Sequence, residues 1–140
     1  MTTGETVTVR KETLEQRREV TAAMARDQVR GILEERFSQE RPATGEDIVL
    51  ADALLVTSEL VTNAIRHGGG VRAFTLSVAD EGLWITVTDR NRDRPTDTAA
   101  DAGGPRPGGF GLRLVRRLSK DVTITPAPGG KSVHALVPLG

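Results

Sequence analysis

With 140 residues, 37% hydrophobic and 27% charged, the chain is long enough to bury a core and lies in the ordinary globular range, so one domain over residues 1–140 is expected. It contains no Cys, which excludes disulfides and thiolate metal sites and fits a reducing compartment. Nineteen basic and 19 acidic residues cancel to a net charge of zero, without the basic excess that a general nucleic-acid binder carries.

The start, Met1-Thr2-Thr3-Gly4-Glu5, has neither the basic opening nor the apolar segment of a signal peptide. No apolar run approaches the length of a membrane span, so a cytoplasmic protein without membrane contact is expected. Residues 5–10 alternate like a short strand. From about Leu14 to Phe37, the residues Ala22, Ala25, Val29, Ile32, Leu33 and Phe37 recur at helical spacing. Arg41-Pro42-Ala43-Thr44-Gly45 breaks that helix. Thr44 or Gly45 then caps a second one, with Glu46 and Asp47 favourable in its first turn.

The second helix should run from Glu46 to His67 and stop at Gly68-Gly69-Gly70, where glycine suits a left-handed C-cap. Val71 to Ala79 and Leu83 to Thr88 read as a hairpin around Asp80-Glu81-Gly82, delivering Asp89 to a strand end. Residues 90–109, rich in Arg, Asp, Pro and Gly, read as a lid or binding loop. A short helix with Phe110, Leu114, Val115 and Leu118 follows. Two strands near Asp121–Thr125 and Lys131–Leu139, joined by Pro128-Gly129-Gly130, close the chain. The order predicts an α+β fold, a two-layer sandwich of a mostly antiparallel mixed sheet with helices on one face. Phe37, Phe74, Phe110 and Trp84 are the only aromatics, so its core is mainly aliphatic.

On the second helix, Ala51, Leu54, Leu55, Ser58, Val61, Thr62 and Ile65 share a broad face, and Val49, Ala53, Leu60 and Ala64 fall on another side. Between them lies a narrow polar stripe of Asp52, Glu59, Asn63 and, at its edge, His67. Glu59 and Asn63 are one turn apart at i,i+4. A Glu/Asn pair on an amphipathic helix is most often just solvated. Functionally, an Asn carbonyl suits Mg²⁺ beside substrate phosphates, and a neighbouring Glu can deprotonate or orient a hydroxyl. His67, near the helix end, reads as a favourable cation at the C-terminus rather than a metal ligand.

Two glycine runs are decoys for other nucleotide motifs. Gly129-Gly130-Lys131-Ser132 is like the end of a P-loop, but Thr125 stands where that loop's first glycine belongs, and a strand follows instead of a helix. The glycines at 103–111 do not follow a strand within a βαβ unit, so a dinucleotide fingerprint is not supported.

Three blocks in order carry a family resemblance. Glu59-Leu60-Val61-Thr62-Asn63-Ala64-Ile65-Arg66-His67-Gly68 resembles the N-box of the GHKL superfamily of ATPases, with its Bergerat ATP-binding fold. The run Ser-Glu-x-x-Thr-Asn-Ala-x-x-His-Gly is similar to the anti-sigma-factor serine/threonine kinases of Gram-positive bacteria. Asp89 falls where the family places the aspartate that accepts a hydrogen bond from the adenine amino group. Gly108-Gly109-Phe110-Gly111-Leu112 resembles its second glycine box, which opens a helix after the lid. The resemblance covers roughly residues 8–138.

By that resemblance the chain binds ATP with Mg²⁺. Glu59 activates the substrate serine, Asn63 holds Mg²⁺ against the phosphates, and Asp89 selects adenine. The backbone around Gly109, Phe110, Gly111 and Leu112 receives the phosphates, as glycines ahead of a helix N-terminus allow. Of the lid arginines Arg90, Arg92, Arg94 and Arg106, the last is the choice for neutralising charge on the transferred phosphate. The implied function is a regulatory kinase that phosphorylates an anti-sigma-factor antagonist and sequesters a sigma factor, with a homodimer among the implied assemblies. One departure stands out: Asp89-Arg90-Asn91-Arg92-Asp93-Arg94-Pro95 lacks both glycines of the common D-x-G-x-G pattern and their conformational freedom. The alternative reading is therefore a nucleotide-binding module, weak or inactive in catalysis, that acts by sequestering a partner. A histidine-kinase ATPase domain is a third reading, without a dimerisation helix bearing a phosphoacceptor His in the chain.

Overall fold

In the computed structural model, residues 7–8, 20–39, 46–90 and 109–139 are described. The elements in chain order are β1 (Val7–Thr8), α1 (Ala22–Gln39), α2 (Glu46–His67), β2 (Val71–Ala79), β3 (Gly82–Asp89), α3 (Gly109–Leu118), β4 (Asp121–Ala127) and β5 (Gly130–Val137). The strands form one sheet in the order β1-β2-β3-β5-β4. The α+β expectation with a mostly antiparallel sheet holds: every pairing among the described strands is antiparallel. The chain achieves this by setting the β4–β5 hairpin beside the β2–β3 hairpin with β5 against β3.

Period-two alternation decides which side of the sheet the helices cover. Phe74, Leu76 and Val78 of β2, Leu83, Ile85 and Val87 of β3, and Ala135 and Val137 of β5 are buried. Across the ladders they stand opposite one another: Phe74 by Val87, Leu76 by Ile85, Val78 by Leu83, Ile85 by Ala135 and Leu83 by Val137. They meet Ala25, Val29, Ile32 and Leu33 of α1, Ala53, Val56, Leu60, Val61 and Ala64 of α2, and Val115 of α3 in one core. The core residues of α1 are those its sequence spacing picks out. Thr21 caps the helix, its Oγ1 accepting the Met24 N–H at 3.1 Å, and so satisfies one of the orphan donors of the first turn. The part of the expected helix before residue 20, and the Thr44/Gly45 cap, lie outside the described residues.

The long helix α2 differs from expectation in which side it buries. Its inner row is Ala53, Val56/Thr57, Leu60/Val61 and Ala64, while Ile48, Leu55 and Ile65 are exposed. The i,i+3/i+4 row that touches the sheet is narrower than the full run of apolar residues, leaving Leu55 and Ile65 on the far side. The same apolarity overturns the expectation about span length: Asp47–His67 is long and apolar enough to cross a membrane. Length and composition alone give the same signal for a core helix, and α2 packs against the sheet and both other helices.

Candidate functional site

The covered row of β3 runs Leu83, Ile85, Val87 and then Asp89, so alternation carries a carboxylate onto the apolar side of the sheet. Asp89 is 4% exposed and is the one charged residue in the buried class among the described residues. A buried carboxylate is costly unless it is paired and hydrogen-bonded. Two of its contacts come from one residue. Lys131 donates its backbone N–H to Asp89 Oδ1 at 3.1 Å and its ammonium to Oδ2 at 2.5 Å. The last recorded rungs of the β3–β5 ladder are Val87–Val133 and Thr88–Ser132. One step further, Asp89 and Lys131 follow on the covered face.

The C-terminus of α2 is tied to the same point. The N–H groups of Gly68 and Gly70 both donate to the Ala64 carbonyl at 2.9 Å, and the Arg90 N–H reaches the carbonyls of Gly68 at 2.9 Å and Gly70 at 3.2 Å. This turn uses φ of +75° at Gly69 and +109° at Gly70, a region that side-chain-bearing residues avoid. Gly68 serves a different purpose. A Cβ there would lie 2.7 Å from the Asp89 Cβ, so the helix end approaches the carboxylate only because position 68 has no side chain. Gly130 clears chiefly the strand itself: a Cβ there would run into the Asp89 backbone carbonyl and would also come within 2.9 Å of Asp89 Oδ1. Next to Val71, which stands opposite Asp89, the β2–β3 register shifts. There the Arg72 guanidinium turns aside to donate to the Pro128 carbonyl.

The other expected site residues lie on α2 and at the start of α3. Glu59 and Asn63 lie on α2, both half-buried, and His67 is exposed at its last turn. Between the core row and the polar stripe, Thr57 is fully buried but satisfied within its own helix, donating to the Ala53 carbonyl at 2.8 Å. Ser58, beside Glu59, accepts from Arg26 of α1 at 3.2 Å, which ties the start of the N-box to the neighbouring helix. Gly109, Phe110, Gly111 and Leu112 form the first turn of α3, and Leu112 packs partly against the core. Arg92, Arg94 and Arg106, with most of the expected lid, lie outside the described residues. Among the described residues no three of His, Asp and Glu are grouped to hold a metal.

The order of these parts, a polar-striped helix ending at a buried strand-end carboxylate and a later helix opening with glycines, is matched at the level of sequence. The profile of the histidine kinase-like ATPase domain fits residues 7–136. The chain belongs to this family. It is also similar to the serine-protein kinase RsbW of Staphylococcus aureus, 29% identical over 103 residues that make up 62% of this chain. The matched region spans 64% of the length of that kinase.

In this histidine kinase-like ATPase domain, Lys131 is the residue that sequence reasoning passed over. As sequence, Gly129-Gly130-Lys131 reads as a failed P-loop, whereas antiparallel pairing brings Gly130 and Lys131 onto Asp89. The signal was present in the alternation. Val137, Ala135 and Val133 lead to Lys131 on β5 as Leu83, Ile85 and Val87 lead to Asp89 on β3.

Proposed function

We propose that this chain is an ATP-dependent regulatory serine kinase that also acts as an anti-sigma factor, phosphorylating an anti-sigma-factor antagonist and sequestering a sigma factor in the cytoplasm. The observation that carries the nucleotide part is Asp89. A buried ion pair contributes little net stability over an apolar pair of the same volume. A carboxylate that ends an apolar row, with two glycines cleared around it, is better accounted for as a recognition group than as a structural one. A purine amino group is the kind of donor that such an acceptor reads. The kinase part rests on family membership, on similarity to the serine-protein kinase RsbW and on the half-buried Glu59–Asn63 pair.

In this reading Glu59 accepts the proton of the substrate serine hydroxyl, and Asn63 contributes its side-chain oxygen to Mg²⁺. Since no acidic cluster among the described residues accompanies Asn63, the remaining ligands of the ion would be phosphate oxygens and water, as Mg²⁺ prefers. When bound, Mg²⁺ supplies charge neutralisation on the phosphates. Backbone N–H groups at the start of α3, from Gly109 to Leu112, face the same negative charge, and Arg106 is the proposed neutralising side chain. The working unit is residues 1–140 as one domain, active as a homodimer.

The test is phosphotransfer from labelled ATP to a serine-bearing antagonist. Glu59→Ala should abolish transfer while leaving ATP binding largely intact, and unchanged transfer would remove Glu59 as the base. The second reading, a nucleotide-binding module without turnover, is favoured by the Lys131 ammonium already seated on Asp89 and by the missing glycines after it. ATP binding together with partner capture, but no transfer by the wild type, selects that reading.

A further inference from the structure

We propose that Lys131 is a specificity-determining residue of the nucleotide site, a tethered cation that occupies the base-reading carboxylate and that an adenine amino group must displace. The inference rests on the nucleotide reading above and concerns how strongly, and by which atom, that site takes its ligand.

Three observations carry it. The ammonium lies 2.5 Å from Asp89 Oδ2, and the side chains of Lys131 and Asp89 are 21% and 5% exposed. Of the two side chains, the lysine is thus the more open to solvent. Gly68 and Gly130 close in on Asp89 so tightly that a Cβ at either would collide with it, whereas the Lys131 side chain reaches it on a flexible stem that can move aside. The contact is also not all of one kind. Oδ1 is held by the Lys131 backbone N–H, which no side-chain rotation releases, while Oδ2 is held by a flexible four-carbon stem. The two oxygens thus have separate roles: one fixes the carboxylate, the other is under a removable cover.

An ammonium is a stronger donor to a carboxylate than a neutral exocyclic amine, because charge-assisted hydrogen bonds are roughly twice as strong as neutral ones. Exchanging one for the other at Oδ2 is therefore unfavourable, and adenine affinity is held down by the difference. The freed lysine returns to water, which limits the penalty and keeps binding possible.

Calorimetric titration with Mg-ATP and with Mg-bound purine riboside triphosphate, which lacks the 6-amino group, tests this on the full chain. Lys131→Met keeps the stem and the backbone N–H on Oδ1 but removes the competitor. ATP affinity should rise about tenfold, the value of one charge-assisted bond no longer broken on binding. The 6-unsubstituted analogue should gain nothing. Lys131→Arg, which keeps the cation, should stay near the wild type. Lys131→Gln, a smaller perturbation with a neutral donor, should fall between, and circular dichroism checks that each variant is folded. Unchanged or weaker ATP binding by folded Lys131→Met and Lys131→Gln overturns the proposal while wild-type binding leaves the nucleotide reading standing. An equal gain for both nucleotides also overturns it, since the effect would then not pass through the amino group. No binding by the wild type or any variant removes the nucleotide reading and this proposal together.

Discussion

Strand β3 has two faces that treat polar groups in opposite ways. On the side away from the helices, Thr86 hydrogen-bonds His134 Nδ1 at 3.1 Å, His134 Nε2 meets Thr125 at 3.1 Å, and Thr88 meets Ser132 at 2.6 Å. Thr86 and Thr88 face His134 and Ser132 directly across the β3–β5 ladder, and Thr125 reaches His134 diagonally across the β4–β5 ladder, where it stands opposite Ser132. Hydroxyls can donate or accept as needed, so sheet geometry alone satisfies them. On the covered side the same strand carries Leu83, Ile85 and Val87 and then places a carboxylate next in line. Asp89 is met by an ammonium and a backbone N–H from Lys131 and is closely approached by two glycines, one from the turn after α2 and one from β5. Polar residues on the open face meet neutral hydroxyl and imidazole partners across the ladders, whereas the one on the covered face needs a charged partner from β5 and close approach of the turn after α2. That contrast separates a structural ladder from a site.

Substitutions along β3 and β5 sharpen the contrast, and urea unfolding measures each. The largest effect belongs to the covered row: Ile85→Ala, at a fully buried position, should cost about 2–5 kcal/mol through lost burial and the cavity left behind. Lys131→Met comes next. Breaking a fully buried pair costs about 3–5 kcal/mol. With Lys131 one-fifth exposed, a loss of about 1–3 kcal/mol is expected, coupled to tighter ATP binding. A residue that costs stability to remove yet improves ligand affinity belongs to a site rather than to the scaffold. The smallest effect is on the open face. Thr86→Ala removes one hydroxyl contact of His134 and should cost about 0.5–1 kcal/mol. If Thr86→Ala proved as damaging as Ile85→Ala, the open face would be bearing structural weight and the distinction between the faces would fail.

Much of this was legible in the sequence because each feature was local. The hairpins, the α2 boundaries at Glu46 and His67 and the inward row Phe74, Leu76, Val78 follow from periodicity and glycine placement. The Glu59–Asn63 pair and Asp89 at the strand end follow from spacing. What was not legible depends on segments far apart in the chain. Which apolar residues of α2 would be left exposed depends on how the sheet and α1 share its surface, so Leu55 and Ile65 were assigned to a face the fold leaves open. Lys131 was read against a sequence motif, when what matters is that β5 pairs with β3 across 42 positions. The role of Gly68 as a clearance for Asp89, beyond a helix stop, likewise needs the strand end beside it.

The most direct test of the central claim is calorimetric titration of ATP with Mg²⁺ into the wild type and Asp89→Asn. The account predicts saturable binding to the wild type at or below millimolar nucleotide, weakened in Asp89→Asn for ATP more than for GTP. No binding to the wild type at millimolar ATP, or an equal loss for both nucleotides in the variant, would contradict it.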